Sequence, residues 1–89
     1  MIYSFGQPTG DIEKDTALAR QYFEEGKELL IENAENKAIL GLFKKSVALY
    51  ETYPFCKELV NSKVLLGRQY YDEGNVDTAE IIMKEIINL

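Results

Sequence analysis

Few residues in this chain have the types or spacing that chemistry requires. Cys56 is its one cysteine, and histidine and tryptophan are absent. A reactive thiol needs a base beside it or a cationic setting that lowers its pKa. Without histidine, Cys56, next to Phe55, reads instead as a small buried or half-buried hydrophobe. A single cysteine also excludes an intrachain disulfide and fits a reducing compartment, so a cytoplasmic location is expected. The carboxylates Glu24, Glu25, Glu28 and Glu32 recur at helical spacing around Lys27. An acid–base dyad holds two carboxyl groups together in a desolvated cleft, whereas a face alternating in charge is solvated. Glycines occur singly, so no phosphate-cradling loop is present. The sequence therefore predicts no catalytic residue, no cofactor site and no metal site, and the chain reads as a non-enzyme.

With enzymology set aside, charge becomes the informative property. The 89 residues carry 10 basic and 15 acidic side chains, a net charge of −5. That balance argues against a free nucleic-acid binder, which needs a basic stripe. Residues 1–36 have three basic and eight acidic side chains, residues 37–71 six and two, and residues 72–89 one and five. Net charge thus alternates −5, +4, −4 along the chain. Such blocks either attract one another weakly within the fold or offer a charge-matched surface to a partner. Residues 1–6 lack a basic leader segment and a long apolar core, and no apolar run is long enough to span a bilayer, so neither secretion nor membrane insertion is expected. The length fits one domain.

The elements that position these residues follow from periodicity. Residues 1–10, broken by Gly6, Pro8 and Gly10 but weighted by Tyr3 and Phe5, read as an N-terminal arm. From residue 11 to 89 the pattern is helical. Asp11 is the expected cap of a first helix, with Asp15 as the alternative. Ile12, Ala19, Tyr22, Phe23, Gly26, Leu29 and Leu30 form its inward face. The segment Asn33–Asn36 predicts a turn, one asparagine taking a left-handed position and the other capping the next helix. A second helix over 37–53 turns Ile39, Leu42, Phe43, Ser46, Val47 and Tyr50 inward. Pro54 ends it and opens a third helix that buries Leu59, Val60, Leu66, Gly67 and Tyr70. Gly74-Asn75 closes that helix, and Asn75 starts a fourth carrying Val76, Ala79, Ile82, Met83 and Ile86. The expected fold is all-α, four antiparallel helices with short connections.

The most specific signal is internal. Arg20-Gln21-Tyr22-Phe23-Glu24-Glu25-Gly26 returns as Arg68-Gln69-Tyr70-Tyr71-Asp72-Glu73-Gly74, identical at five of seven positions. Leu18-Ala19 and Leu66-Gly67 precede the two copies. Repeats of this kind predict stacked helical hairpins. Leu66-Gly67, Tyr70, Gly74, Ala79 and Met83 resemble, in order, the signature of the tetratricopeptide repeat family. Leu18, Ala19, Tyr22 and Gly26 match its first half. The copies lie 48 residues apart, against a family period of about 34. Either helix one runs through Gly26 to about Glu32, or it breaks there and adds a short fifth helix. The unbroken helix is favoured, because a mid-helix glycine costs only about 1 kcal/mol and Asn33–Asn36 is the stronger turn.

The resemblance implies two stacked hairpins, a right-handed superhelix fragment, whose first helices line a groove for a protein or peptide partner. It carries that role onto Arg20, Phe23 and Glu24 in the first copy and Arg68, Tyr71 and Asp72 in the second. Asn61 and Val64 lie on the same face, two turns and one turn before Arg68. Paired arginines beside aromatics can grip a carboxylate and stack an apolar group; alternatively they pair at the surface with Glu24 and Asp72. The lysine–asparagine clamp of some chaperone-binding members is not reproduced, since Val64 and Leu65 occupy that stretch. On helix four the apolar arc spans roughly 160° at about 100° per residue, more than one neighbour covers. Ile81, Ile82, Ile86 and Leu89 are therefore candidate interface residues, to be covered by the arm, a second copy or a partner helix. The expected function is a small protein-interaction module. A homodimer closed through helix four and a charge-patterned inhibitor of another protein are the alternatives.

Overall fold

The computed structural model describes residues 9–53 and 57–88. These form α1 (Ile12–Ile31), α2 (Asn36–Glu51), α3 (Lys57–Asp72) and α4 (Val76–Ile87), with no strand among them. The all-α, four-helix expectation holds. The expectations for Tyr3, Phe5, Pro54, Phe55, Cys56 and Leu89 lie outside the described residues.

Local chemistry accounts for the helix ends. Asp11 is the cap of α1, its carboxylate accepting from the Glu13 and Lys14 amides. Helix α1 then runs 20 residues without interruption through Gly26, which settles the two readings of that glycine. It ends at Ile31, and Asn33, just past the Glu32 cap, takes a left-handed φ of 56°. The Ala34 amide reaches back to the Leu29 carbonyl at 2.9 Å and the Asn33 amide to Leu30 at 3.2 Å. This crossed pair satisfies carbonyls that a helix end leaves orphaned. The end of α3 repeats the device with Gly74 at φ +94°, Asn75 bonding to Tyr70 at 2.9 Å and Gly74 to Tyr71 at 3.0 Å. Asn75 then caps α4, accepting from the Thr78 amide at 3.3 Å. The predicted cap at Asn36 is not made. Asn36 is the first residue of α2, after Glu35, and its side-chain oxygen accepts instead from Gln69 Nε2 of α3 at 2.6 Å.

Packing is sequential: α1 lies on α2, α2 on α3 and α3 on α4. The start of α2 meets the end of α3 through Asn36 and Gln69. The end of α2 meets the start of α1 through Tyr53 and Asp15. In these two pairs the end of one helix meets the start of the other, consistent with hairpin packing. Because α2 is flanked on both sides, it buries Leu40 and Leu49 in addition to the predicted Ile39, Phe43, Ser46, Val47 and Tyr50. Ile12, Leu30, Val60, Val76 and Met83, expected inward, are exposed at the edges of the array. Small groups allow the close approaches. Ser46 donates to the Ala19 carbonyl at 2.9 Å and lies 3.3 Å from the Ser62 hydroxyl, linking three helices through one buried point.

Candidate functional site

The residues expected to form one groove fall into two recesses on different parts of the array. Phe23, Asn61 and Val64 come together with Lys27 and Leu65 around a recess of about 340 Å³ between α1 and α3. Here Phe23 is half-buried against the core, its ring 6.0 Å from that of Phe43, with the Lys27 ammonium 5.1 Å from its centroid. Arg68, Tyr71 and Asp72 instead line a recess of about 350 Å³ between α3 and α4, joined by Gly67, Val76, Ala79, Glu80 and Met83. Arg20 and Glu24 are exposed and line neither.

Gly67 faces α4 across the α3–α4 groove, where a Cβ would make an ordinary contact with Ile82 Cγ2 at 3.4 Å. Ile82 fills that contact and is only 7% exposed. Ile86 is half-buried and packs on the same core. Of the expected interface residues, Ile82 is therefore committed inside the chain, Ile86 largely so, and Ile81 is exposed on α4. The open apolar surface of α4 comprises Val76 (50% exposed), Ile81, Met83 (42%) and Ile87 (81%), with Tyr71 of α3 beside it at 63%. The width of the apolar arc predicts such a surplus, and α3 covers only part of it.

The groove's charges are uncommitted. Among the described residues, Arg68, Asp72 and Glu80 form no ion pair, and neither Arg20–Glu24 nor Arg68–Asp72 closes at the surface. Glu24 pairs instead with Lys27 at 3.6 Å.

Two polar clusters are not foreseen from the sequence. Asp15, expected as an alternative cap, is 1% exposed. Its carboxylate accepts from the Thr9 amide at 2.9 Å, the Thr9 hydroxyl at 2.8 Å, the Gly10 amide at 3.3 Å and the Tyr53 hydroxyl. The Tyr53 bond, with help from Thr9 and Gly10, lowers its pKa against the opposing effect of burial. A signal for it exists in the sequence: positions 15, 19, 22 and 26 continue one helical stripe, and all four are buried. Lys63 is buried at the junction of three helices, its ammonium 3.4 Å from Glu51 of α2 and 3.7 Å from Glu85 of α4. No local pattern marks it, because both acids belong to other helices. Tyr22 completes the buried polar set. Among the described residues its hydroxyl has no hydrogen-bond partner, and burial, with a smaller contribution from Glu25, raises its pKa.

No helix among the described residues is long and apolar enough to cross a membrane. The arrangement offers a partly apolar groove whose charged groups Arg68, Asp72 and Glu80 form no ion pair among the described residues. Comparison of the chain with protein families, with curated proteins and with solved structures finds no match.

Proposed function

We propose that this chain is a small protein-interaction module, two tetratricopeptide-like hairpins that receive a partner helix or peptide in the α3–α4 groove. The supporting observation is the contrast between equivalent positions. Phe23 of the first repeat is half-buried in a recess shared with α3, while its counterpart Tyr71 is 63% exposed over the apolar surface of Val76 and Met83. Exposed aromatic and methionine side chains beside an arginine match the composition of interface centres. The stacking of consecutive helices and the repeated heptad support the family resemblance.

The test is a photo-crosslinking amino acid placed at Tyr71 and, as a control, at Ile12, with the chain expressed at its native level. A discrete adduct from position 71 that disappears when Met83→Glu is added is the expected result. Equal adducts from both positions, or none from position 71, would remove the groove from the reading. A homodimer through α4 is the second reading, favoured by exposed Ile81 and Ile87. Sedimentation at micromolar concentration decides it, since a strict monomer eliminates it.

A further inference from the structure

The internal repeat indicates how the open groove is filled. Gly67, Arg68, Tyr71 and Asp72 line it from α3, and they occupy the repeat positions of Ala19, Arg20, Phe23 and Glu24 in α1. In the first copy the Phe23 position lies beside another helix, since α3 brings Asn61, Val64 and Leu65 to that recess. In the second copy the corresponding place beside Tyr71 is open, and Val76 and Met83 form its apolar wall. By this correspondence the missing occupant is a helix that presents aliphatic side chains, as α3 brings Val64 and Leu65 to the recess beside Phe23.

Charge chooses among the helices that could supply that face. The groove lining carries Asp72 and Glu80 against Arg68, none of them ion-paired among the described residues. Residues 72–89 around it carry five acidic side chains and one basic. A second copy presenting α4 would set this acidic block against itself, and like charges across an interface cost affinity and association rate. The basic block of a second copy offers little to fill the groove: among the described residues its exposed large apolar side chains are Val60 and Tyr71, and Tyr71 belongs to the groove itself. Residues 1–8 contain no lysine or arginine, so the acidic rim does not select them either. We propose that the α3–α4 groove takes an amphipathic helix of a partner protein whose flanks are basic, seated over Tyr71, Val76 and Met83. This rests on the interaction-module reading and specifies the chemistry of its partner.

The experiment uses the full chain and three 16-residue peptides that keep the apolar spacing of Lys57–Asp72, with outward positions all lysine, all glutamine or all glutamate. Binding is measured by fluorescence anisotropy at low and high salt. The lysine peptide is expected to bind at least about tenfold more tightly than the glutamate peptide at low salt, with the gap closing near 0.5 M salt as charges are screened. The double variant Asp72→Lys/Glu80→Lys, both at exposed positions, is expected to reverse that order. Equal binding of all three peptides would overturn the charge assignment while leaving a helix-accepting groove. Absence of binding by any peptide would overturn the inference, and the crosslinking result would then judge the module reading separately. A dimer of the chain alone that Met83→Glu dissociates would assign the groove to a second copy. A tenfold gain in lysine-peptide affinity on Tyr3→Ser/Phe5→Ser would assign it to residues 1–8. Either result overturns the proposal.

Discussion

The same seven-residue pattern occurs in α1 and in α3, and the molecule treats the two copies differently. In α1 the chain passes through Gly26 in regular helix to Ile31, with the left-handed turn at Asn33; α3 ends at Asp72, with the left-handed turn at Gly74 itself. The residues immediately after each glycine explain the difference. Lys27-Glu28-Leu29-Leu30 are good helix formers, whereas Asn75 is a cap that opens α4. The two glycines therefore serve different physical needs. Gly26 is required for space, because a Cβ there would lie 2.6 Å from Phe43 Cε1. Gly74 is required for conformation, because its φ of +94° is strained for other residues and nothing lies within 4 Å of its Cβ direction. A shared motif marks equivalent positions, but neighbouring residues and packing decide what those positions do.

Substitutions can pull the two copies further apart or erase the distinction between them. The largest loss is at the core. Phe43→Ala, which empties the buried ring under Gly26, should destabilise the chain by about 3–5 kcal/mol in chemical denaturation. Asparagine at the two glycines should separate space from conformation. Gly26→Asn drives a polar side chain into the Phe43 ring and should cost at least about 2 kcal/mol. Gly74→Asn keeps a residue tolerant of left-handed backbone, as Asn33 already shows at its own helix end, and should cost less than about 1 kcal/mol. Equal losses would mean that the two glycines share one role. The aromatic pair should differ in the same sense. Phe23→Ala should cost about 2 kcal/mol because the ring packs on the core, and Tyr71→Ala less than about 0.5 kcal/mol because it is exposed.

The smallest effects are those of pH. Asp15 has a folded pKa below its unfolded one, so between the two values the unfolded chain binds more protons and stability rises with pH. Its contribution is present above about pH 4 and is lost as pH falls below that. Tyr22, raised on folding, has the opposite sign, and its contribution is lost above about pH 10. Asp15→Asn should flatten the acid limb of a stability profile, and Tyr22→Phe the alkaline limb, each leaving the other limb unchanged.

Much of the architecture is legible in the sequence because it is local. Asp11, the Asn33 turn and Gly74-Asn75 each act within a turn or two and appear where expected, while the 3.6-residue stripes hold in part, Ile12, Leu30, Val60, Val76 and Met83 being exposed. Long-range contacts are not legible. Asn36 gives up its capping role to Gln69, Lys63 finds carboxylates on two other helices, and Asp15 turns inward to Tyr53. The candidate site divides along the same line. The face of each helix is readable from spacing, but not which neighbours meet it, so one expected groove becomes two recesses and Ile82 passes from interface to core.

Everything proposed for the groove depends on Tyr71 of the second repeat being exposed where Phe23 of the first is half-buried. An amide and methyl chemical-shift map of the full chain, titrated with the lysine peptide, puts that difference to the test. Perturbations should concentrate at Gly67, Arg68, Tyr71, Val76, Ala79 and Met83 and leave the signals of Phe23, Asn61 and Val64 in place. Perturbations centred on Phe23, Asn61 and Val64, with the α3–α4 groove silent, would contradict it.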